Sequence, residues 1–582
     1  MRQSALSAAT ADEAAVLRSP AHSIHRRLAW GRRLLLIMKS KYFEVMENPM
    51  KKRNRSEMNF GRWPRRFYAM TALFVLLSAM LKTHLDASSI VQGQTDCPVR
   101  VTLLQLNDVY QYPPVEGGKR GGLARILTLR REIMKESPNT LFLLAGDTIS
   151  PSVESNSYKG KQMIDAWNLS GLDYATFGNH EFDFGPDILK ARIAESNFKW
   201  LAANVIDKQT GKLFANTPEF VIREFDGVKI GLFGIVLQET LETSRPGPTV
   251  NILDPCATAT RVVPEIHAAG AKVVIALTHE TIADDKELAR CSGADLIIGG
   301  HEHTLLESLA GHAPILKMDA DARELGRIDL NISKRTGELE SMDWQIIPVT
   351  DQIKDDPTFA SLDRKYGDLM KALAEPAGRT EVELDVKSAD VRVEETNMAD
   401  FIADAFRAAV GADVALVNGG SIRADQSFRP AMLTKREVPS ILPFNSRVVK
   451  LQVTGAVIKA ALEHGVATAA EEIQPGRFPQ VSGLSYSFDA SRKPGSRILD
   501  VMVNSQPLDL KRNYTLATTN YLAIEHGDGY DMLGTNFLIE PEQGPVDSEL
   551  LLRAIFSAKA IAPRTDGRIK RIDAGKNSNA CK

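Results

Sequence analysis

Cysteine is scarce in this sequence. Four cysteines occur among 582 residues, at positions 97, 256, 291 and 581. So few cysteines exclude a framework of disulfides, and their spacing matches no set of metal ligands. Cys256 and Cys291 either pair in an oxidising compartment or remain as two buried thiols, and both alternatives stay open.

Net charge is also nearly absent. The formal charge is −2 at pH 7, from 71 Lys and Arg against 73 Asp and Glu. Basic residues are concentrated between Arg26 and Arg66, so the rest of the chain is more acidic than the average, and nucleic acid is not expected as a partner. With 43% apolar and 25% charged residues and no internal repeat, the composition is that of an ordinary globular protein of two or three domains.

The sequence has no apolar run of the roughly 20 residues that a membrane-spanning helix requires. The run Phe67–Leu81 has 15 residues and follows three arginines between 62 and 66. A basic flank before a short apolar core is typical of a secretory signal. We therefore expect 61–95 to be a signal peptide or an uncleaved anchor, and the protein to be periplasmic or extracellular. Residues 1–60 are an N-terminal extension whose translation stays open.

What the sequence does contain is a series of apolar strands that end in polar side chains. Near-continuous apolar strands are typical of an α/β domain with a sheet covered on both faces. Because open α/β sheets bind ligands at the carboxyl ends of their strands, the side chains that follow are candidate site residues. The predicted strands and these residues are 99–106 with Asp108, 140–145 with Asp147, 173–177 with Asn179, 272–277 with His279, and 294–298 with His301 and His303.

The six residues 178–183, GNHEFD, concentrate several reactive groups. Gly178 at the strand end is expected to let the backbone turn sharply. Asn179 is a candidate metal ligand. The imidazole and carboxyl groups that follow it can bind metal or move protons.

Carboxylate, amide and imidazole groups together suit borderline divalent metals such as Zn²⁺, Mn²⁺ or Fe²⁺. One carboxylate can bridge two ions, and Asp147 is the candidate for that role. Two ions about 3.5–4 Å apart hold the attacking and leaving oxygens of a phosphoryl displacement and acidify a bound water. These side chains therefore predict a two-metal hydrolase.

The order of the motifs resembles that of the calcineurin-like metallophosphoesterases. The motifs are Asn107-Asp108, Gly146-Asp147, GNHE at 178–181, Thr278-His279 and GHEH at 300–303. From 99 to 573 the chain is similar to the two-domain 5′-nucleotidase/UDP-sugar hydrolase family. The resemblance implies a four-layer α/β sandwich that holds two divalent ions, followed by an α+β C-terminal domain that binds the nucleoside.

The domain limits are predicted from changes along the chain. The metallophosphoesterase domain is expected at 97–350 and the C-terminal domain at 380–573. Between them, at 351–379, apolar residues recur every three or four positions and predict a linker helix. A helix that packs in the core of the first domain is the alternative. The polar residues 574–582 are expected to be a disordered tail.

Carried over to this sequence, the resemblance implies a ligand set for each ion and a catalytic pair. The ligands of the first ion would be Asp108, Asp147 and His303. The ligands of the second ion would be Asp147, Asn179, His279 and His301. His180 and Asp183 match the family's catalytic pair, in which the imidazole stabilises and protonates the leaving oxygen.

One position departs from the family. The first motif of the family is Asp-x-His, and its histidine is a ligand of the first ion, whereas this chain has Asp108-Val109-Tyr110. A phenol is a poor ligand at neutral pH because its pKa is about 10. Three alternatives stay open: Tyr110 coordinates as a phenolate, water takes the place of the missing histidine ligand, or His303 compensates for its loss. Weaker metal binding, a changed metal preference and reduced activity are all consistent with the substitution.

In the C-terminal domain the resemblance implies six substrate-binding residues. Those that would contact polar parts of the substrate are Arg392, Asn418 and Arg423. Phe444 and Tyr521 align with the two sides of an aromatic clamp on the base, and Asp528 aligns with an acceptor for a ribose hydroxyl. The glycine pair that usually precedes this Asp is His526-Gly527 here, so the base preference stays open.

We therefore expect an exported 5′-nucleotidase-like phosphohydrolase in which a metal-bound hydroxide releases phosphate from nucleoside 5′-monophosphates. UDP-sugars and cyclic nucleotides are further candidate substrates. The alternative hypothesis is an extracytoplasmic nucleotide-binding protein with weak or no turnover, and Tyr110 is its only support.

Overall fold

A computed structural model describes residues 97–573 of the protein. The extension at 1–60, the expected signal or anchor at 61–95 and the tail at 574–582 lie outside the described residues. Among the helices between 97 and 573, none combines the length and the apolarity needed to cross a membrane.

The first half of the described chain contains two six-stranded sheets. In the first sheet, four parallel strands lie in chain order. Glu324–Ile332 pairs antiparallel with the first of them, and Leu339–Pro348 pairs antiparallel with Glu324–Ile332. Across this sheet the strands are Leu339–Pro348, Glu324–Ile332, Val99–Leu106, Thr140–Leu144, Tyr174–Thr176 and Lys199–Leu201.

The second sheet has four parallel strands at its centre and one antiparallel strand at each edge. Across this sheet the strands are Leu306–Ala310, Ala313–Lys317, Leu296–Gly299, Val273–His279, Val228–Val236 and Phe220–Phe225. All seven side chains of Val273–His279 are buried, as expected for a parallel strand covered on both faces.

The two sheets pack face to face. Their shared core contains Leu103 and Leu143 from the first sheet, and Leu232 and Ile275 from the second. Helices pack on both outer faces through separate apolar cores. Those on the first sheet are Leu123–Glu136, Lys161–Ser170 and Pro186–Glu195, and those on the second are Pro255–Ala268 and Ile282–Cys291. The predicted four-layer α/β sandwich is confirmed.

The C-terminal part is built on a mixed five-stranded sheet. Alternate residues of the strand Val414–Asn418 enter two cores on opposite faces, one with the helix Asn397–Val410 and one with the helix Gly455–Gly465. The strands in order are Pro479–Ser482, Val414–Asn418, Asn513–Thr519, Val448–Thr454 and Phe537–Ile539. This arrangement confirms the predicted α+β domain.

Smaller sheets and helices complete the C-terminal part. A four-stranded sheet contains Gln506–Pro507, Ile498–Val503, Leu484–Phe488 and Ile569–Arg571. A three-stranded sheet contains Ala431–Thr434, Pro376–Thr380 and Ala560–Ile561. The helix Asp547–Ala558 packs in the same core as Asn397–Val410. In this part Leu384–Asp385 also pairs with Ser427–Phe428, and the remaining short helices are Ser388–Val391, Glu437–Ile441 and Asn520–Ala523. In the N-terminal part Val205–Asp207 pairs with Val250–Ile252, and the short helices are Val153–Tyr158 and Thr240–Thr243.

The helix expected as a linker spans Ala360–Leu373 and follows a short 3₁₀ turn, Pro357–Phe359. Asp356 caps this segment by accepting a hydrogen bond from a backbone N–H of the turn. Its apolar face is buried in the core of the first domain through Phe359, Leu362 and Tyr366. The helix therefore packs as part of the N-terminal domain, and the chain crosses to the C-terminal domain after it.

Cys256 and Cys291 form a disulfide, with their Cα atoms 5.8 Å apart. The bond joins the two helices that cover the second sheet, Pro255–Ala268 and Ile282–Cys291. Of the two alternatives for these cysteines, the structure contains the pair.

Candidate active site

The expected metal ligands converge where the parallel strands of both sheets end. Four of them have a positive φ: Asp108 (53°), Asp147 (58°), His301 (91°) and His303 (53°). Residues other than glycine rarely adopt this conformation. It costs about 1–3 kcal/mol per residue and clusters at functional sites. The strain at these strand ends therefore supports a functional role for this edge of the sandwich.

Asp147 lies at the centre of the group. Its Oδ1 accepts a hydrogen bond of 2.9 Å from the backbone N–H of His180. Its Oδ2 lies 3.2 Å from His279 Nε2 and 3.2 Å from Tyr110 Oη. Burial raises the pKa of Asp147, but His279 and His180 bring it down to about 2, so the carboxylate is charged. Asp147 Oδ2 thus lies between His279 on one side and Tyr110 on the other, the position that a ligand shared by two ions requires.

Gly178 is needed for space rather than for a turn. The chain turns directly after it into the 3₁₀ helix Asn179–Phe182, but its φ of −108° is an extended value that any residue adopts. A Cβ atom at this position would lie 2.1 Å from Asp147 Oδ1. The absence of a side chain therefore lets the end of the strand Tyr174–Thr176 approach Asp147 closely.

Asn179 and His279 carry atoms that suit a bound cation. Among the described residues, Asn179 Oδ1 and His279 Nε2 are buried and make no hydrogen bond, although buried polar atoms normally find a partner. His279 Nδ1 donates to the carbonyl of Ala145 at 2.8 Å, so Nε2 is the nitrogen that faces the cluster. Burial lowers the pKa of His279, but Asp147 and Asp108 raise it to about 10, so this position attracts positive charge. The donor set fits a divalent ion.

His301 and His303 follow the strand Leu296–Gly299. The backbone N–H of His301 donates to Asp108 Oδ2 at 2.9 Å, and His303 Nε2 lies 3.2 Å from Asp108 Oδ1. Burial lowers the pKa of both imidazoles. They are therefore neutral at pH 7, which is the state that binds metals.

Tyr110 lies inside this cluster. Its Oη is 2.7 Å from His303 Nε2 and 3.2 Å from both Asp108 Oδ1 and Asp147 Oδ2. Arg423, from the C-terminal domain, donates to the same oxygen at 3.1 Å. Burial, followed by the charges of Asp147 and Asp108, raises the pKa of Tyr110 well above its usual value. The hydroxyl thus contacts every ligand expected for the first ion.

His180 faces the cleft between the domains. Its Nδ1 lies 2.8 Å from Asp183 Oδ2, and Asp183 Oδ1 accepts a hydrogen bond of 2.8 Å from Ser244. Its Nε2 lies 3.9 Å from Asp147 Oδ2. The Phe444 ring stacks on the imidazole, with centroids 5.6 Å apart. His180 is therefore held next to the expected ligands with Nδ1 engaged by a carboxylate, the geometry of the expected catalytic pair.

Two buried arginines approach from the C-terminal domain. Arg392 and Arg423 are 7% and 8% exposed, and both line the cleft. Burial lowers the pKa of Arg392 to about 10, and the nearby charge of Arg423 acts in the same direction. Two guanidinium groups that face one cleft form a strong binding site for an anion such as a phosphate.

The remaining expected substrate residues form a second cluster in the same cleft. Asp528 accepts hydrogen bonds from Asn418 Nδ2 at 2.6 Å and from Tyr521 Oη at 2.9 Å. Phe444 lies against His180, and both Phe444 and Tyr521 line the cleft. The cleft encloses about 1130 Å³ and brings all six expected substrate residues together.

Other residues that line the cleft had no role in the sequence-based prediction. They are charged or polar and come from both domains: Glu239, Ser244, Arg245, Glu472, Gln474 and Arg477. No motif marks them in the sequence, because they meet only when the two domains pack together.

Glu181 was missed although it lies within the 178–183 motif. It is fully buried, and its carboxylate accepts four backbone hydrogen bonds, from Gly178, Asp147, Thr148 and Ile149. Glu181 thereby ties the loop that carries Asp147 to the strand end that carries Asn179. An acidic residue between His180 and Phe182 in a buried segment was the signal available.

Lys317 is a second residue that sequence reasoning missed. Its Nζ is buried and donates to the carbonyls of Glu280 (2.6 Å) and Gly300 (2.9 Å). It also pairs with Glu302 (2.6 Å) and Asp285 (2.7 Å). Lys317 thus links the two loops that carry His279 and His301. A lysine at the end of the apolar strand 313–317 was the only sign of it.

Two facing sheets with metal-binding side chains at their strand ends define the class of this protein: it is a calcineurin-like phosphoesterase. The family model "Calcineurin-like phosphoesterase" matches residues 101–305, and the model "5′-nucleotidase, C-terminal domain" matches residues 376–535.

Similar proteins are named as a nucleotide phosphoesterase and as 5′-nucleotidases. The chain is 31% identical over 501 residues to the "Trifunctional nucleotide phosphoesterase protein YfkN" of Bacillus subtilis; the match covers 77% of this chain but only 34% of that protein. It is 29% identical to the 5′-nucleotidase of Homo sapiens, over 77% of this chain and 85% of the human one. The solved structure of a 5′-nucleotidase precursor from Thermus thermophilus superposes with a TM-score of 0.75, at 29% identity, over 81% of this chain and 99% of that one.

The chain belongs to the 5′-nucleotidase family and is a metal-dependent phosphoric ester hydrolase. Its similarity to the Bacillus protein extends over about a third of that protein's length.

Proposed function

We propose that this protein is an exported, two-metal 5′-nucleotidase that hydrolyses nucleoside 5′-monophosphates. The observation that carries the proposal is the position of His180 and Asp183. The pair lies between the cluster of expected metal ligands and a cleft lined by Arg392, Arg423 and Phe444. A phosphate ester in this cleft would meet anion-binding, metal-binding and proton-donating groups at once.

The expected ligands would hold two divalent ions. Asp108, Asp147 and His303 would hold one divalent ion, and Asp147, Asn179, His279 and His301 the other. Zn²⁺, Mn²⁺ and Fe²⁺ all suit this donor set. Bound there, such ions supply an acidified water and stabilise charge on a phosphoryl group.

The protein's own groups would act on the leaving oxygen and the phosphate. Asp183 is hydrogen-bonded to His180 Nδ1, which fixes the orientation of the imidazole and leaves Nε2 free to donate a proton to the leaving oxygen. Arg392 and Arg423 would bind the non-bridging phosphate oxygens.

The nucleoside would occupy the part of the cleft beyond the phosphate. Phe444 and Tyr521 offer aromatic faces for the base, and Asp528 with Asn418 offers polar groups for the ribose. Base stacking on such rings contributes about 1–3 kcal/mol. UDP-sugars and cyclic nucleotides present the same parts, and one relative is named a trifunctional nucleotide phosphoesterase, so these esters are further candidates.

Export is supported by the Cys256–Cys291 disulfide. Disulfides persist in oxidising compartments such as the periplasm and the outside of the cell, and are rare in the cytosol. The basic, then apolar segment before residue 82 is the matching sequence feature.

The test is phosphate release from a panel of nucleoside monophosphates, UDP-glucose and cyclic nucleotides, with the protein loaded with Mn²⁺ or Zn²⁺. We expect turnover of at least one monophosphate, and a loss of about 10²–10⁴-fold in kcat for His180→Ala. His312→Ala, at an exposed histidine in the turn between Leu306–Ala310 and Ala313–Lys317, is the matched control and should retain kcat.

The result that contradicts the proposal is a metal-loaded protein that binds AMP but releases no phosphate from any substrate. If His180→Ala then binds AMP as tightly as the wild type, the alternative of a nucleotide-binding protein with weak or no turnover holds, and Tyr110 becomes its physical explanation.

A further inference from the structure

We propose that the Tyr110 hydroxyl oxygen is the fourth ligand of the first metal ion, in place of the histidine of related proteins. This inference rests on the proposed two-metal function. It goes further by choosing among the three alternatives that the substitution leaves open: coordination by Tyr110, replacement by water, or compensation by His303.

The distances around Tyr110 carry the argument. At the metal–ligand distances of about 2.0–2.2 Å typical of Zn²⁺, two corners of a tetrahedron lie about 3.3–3.6 Å apart. Tyr110 Oη lies 3.2 Å from Asp108 Oδ1 and 3.2 Å from Asp147 Oδ2. Asp108 Oδ1 and His303 Nε2 are also 3.2 Å apart. The phenol oxygen therefore has the separation from both carboxylates that a fourth ligand would have.

The separation from His303 is shorter, because the two groups share a hydrogen bond of 2.7 Å between Tyr110 Oη and His303 Nε2. An ion between them would replace that bond and would require the two atoms to move apart by only a few tenths of an ångström to reach the edge of such a tetrahedron. A side chain thus stands at the position that the histidine of related proteins would occupy.

Tyr110 is also held in place by its surroundings. It is 7% exposed, and its backbone N–H donates to Asp321 at 3.2 Å. Arg423 donates to Tyr110 Oη at 3.1 Å, and its guanidinium lies 5.4 Å from the ring centroid. The C-terminal domain thus supports the first metal site through Arg423, in addition to its expected contact with substrate.

The second ion needs no such support. Its expected ligands include the two buried atoms without hydrogen bonds, Asn179 Oδ1 and His279 Nε2. Within the described residues, no hydrogen bond joins Tyr110 Oη to either of these atoms. Removing the Tyr110 hydroxyl should therefore affect the two ions very differently.

The test is metal stoichiometry and affinity, measured by elemental analysis after dialysis and by chelator competition with Zn²⁺. The wild type should hold two ions. Tyr110→Phe removes one oxygen atom and should hold one, with the affinity for the other reduced at least about 10–100-fold, the range seen when even outer-shell partners are lost. Tyr110→His should hold two again. Tyr112→Phe is the matched control, because this phenol is buried outside the site, and it should hold two ions.

A second readout uses Co²⁺ as the probe, since its visible spectrum reports the ligands around it. The second equivalent of Co²⁺ should give different spectra in the wild type and in Tyr110→His, and no spectrum in Tyr110→Phe. The proposal is overturned if Tyr110→Phe holds two ions with wild-type affinity, because water or His303 is then sufficient. It is equally overturned if the wild type holds one ion and Tyr110→Phe gains a second, because the hydroxyl then excludes the ion.

Failure of this inference is distinguishable from failure of the proposed function. Stoichiometry and spectra decide the role of Tyr110 without any turnover. Phosphate release by the fully loaded wild type decides the proposed function, whichever ligand completes the first site.

Discussion

Asn179 and His180 are neighbours in the chain but face different parts of the site. Asn179 directs a buried oxygen without a hydrogen bond towards the expected ligands, whereas His180 faces the cleft and is bonded to Asp183. This division arises because residues 179–182 form one turn of 3₁₀ helix, which points successive side chains in different directions.

Asp183→Asn tests the role of the carboxylate behind His180. An amide cannot stabilise a charged imidazolium as a carboxylate does, so kcat should fall by about 10²-fold, the lower end of the range for loss of a general acid or base. Metal content should stay at the wild-type value, because Asp183 is outside both ligand sets. Kinetics and elemental analysis check the two parts.

Ser244→Ala is the control for Asp183→Asn, because it removes the hydrogen bond to the other carboxylate oxygen. Its effect on kcat should be about tenfold or less, since one neutral hydrogen bond contributes about 0.5–1.5 kcal/mol. An unchanged kcat in Asp183→Asn would rule out a role for this carboxylate in orienting His180.

The edge of the second sheet shows how elements position ligands. The strands Val273–His279 and Leu296–Gly299 pair in parallel and present their ends side by side. Lys317, on the next strand, bonds to backbone carbonyls just after both ends. The ligand loops are therefore held by a buried charge from a neighbouring strand and not only by their own sequence.

Lys317→Met should loosen this arrangement. The substitution leaves Asp285 and Glu302 buried without their cation, and breaking one partner of a buried ion pair costs about 3–5 kcal/mol. We expect a lower Tm and also a smaller rise in Tm when Zn²⁺ is added, because His279 and His301 lose their positions. Thermal unfolding with Zn²⁺ and with a chelator measures both.

Lys272→Met is the control, at an exposed lysine directly before the strand Val273–His279. It should change neither the Tm nor the rise in Tm that Zn²⁺ causes. If Lys317→Met lowers Tm equally with and without Zn²⁺, then Lys317 stabilises the fold and does not position the ligands.

At the scale of the whole molecule, the cleft is closed by contacts between the two domains. Arg436 of the C-terminal domain pairs with Glu154 at 2.7 Å and donates to Gln111 at 2.7 Å. Arg245 and Glu525 form a second pair, at 2.7 Å, nearer the surface. The first pair is the stronger contact, because the Glu154 side chain is only 5% exposed and exposed pairs contribute little.

Arg436→Met should therefore favour an open arrangement of the domains. Buried Glu154 loses its cation, and the closed form loses that stabilisation while the open form, in which Glu154 meets water, does not. We expect a larger radius of gyration in small-angle X-ray scattering and a several-fold higher KM for the nucleotide, with metal content unchanged.

Arg429→Met is the control, because Arg429 is an exposed arginine seven residues before Arg436 in the chain. A wild-type radius of gyration and KM in Arg436→Met would show that this pair does not control closure.

Much of the N-terminal fold could be predicted from local sequence. The strand predicted at 99–106 has these bounds in the structure, because a long apolar run bounded by polar residues and turns defines a buried strand. The strands before Asn179 and His301 are shorter than predicted. The first of them ends at Thr176, one residue before the predicted end, whereas the second begins two residues later than predicted and continues to Gly299.

The sequence by itself determined the two-domain class, the strand ends that carry Asp108, Asp147, Asn179, His279 and His301, and the His180–Asp183 pair. These features depend on local periodicity and on short spacings, which a single segment contains in full. Only the tertiary structure decided the contacts of Tyr110 with Arg423, the buried links made by Lys317 and Glu181, and the pairing of Cys256 with Cys291. Each of these contacts joins segments far apart in the chain, or joins a side chain to a backbone atom. No local pattern specifies which distant atoms will meet when the sheets and the two domains pack together.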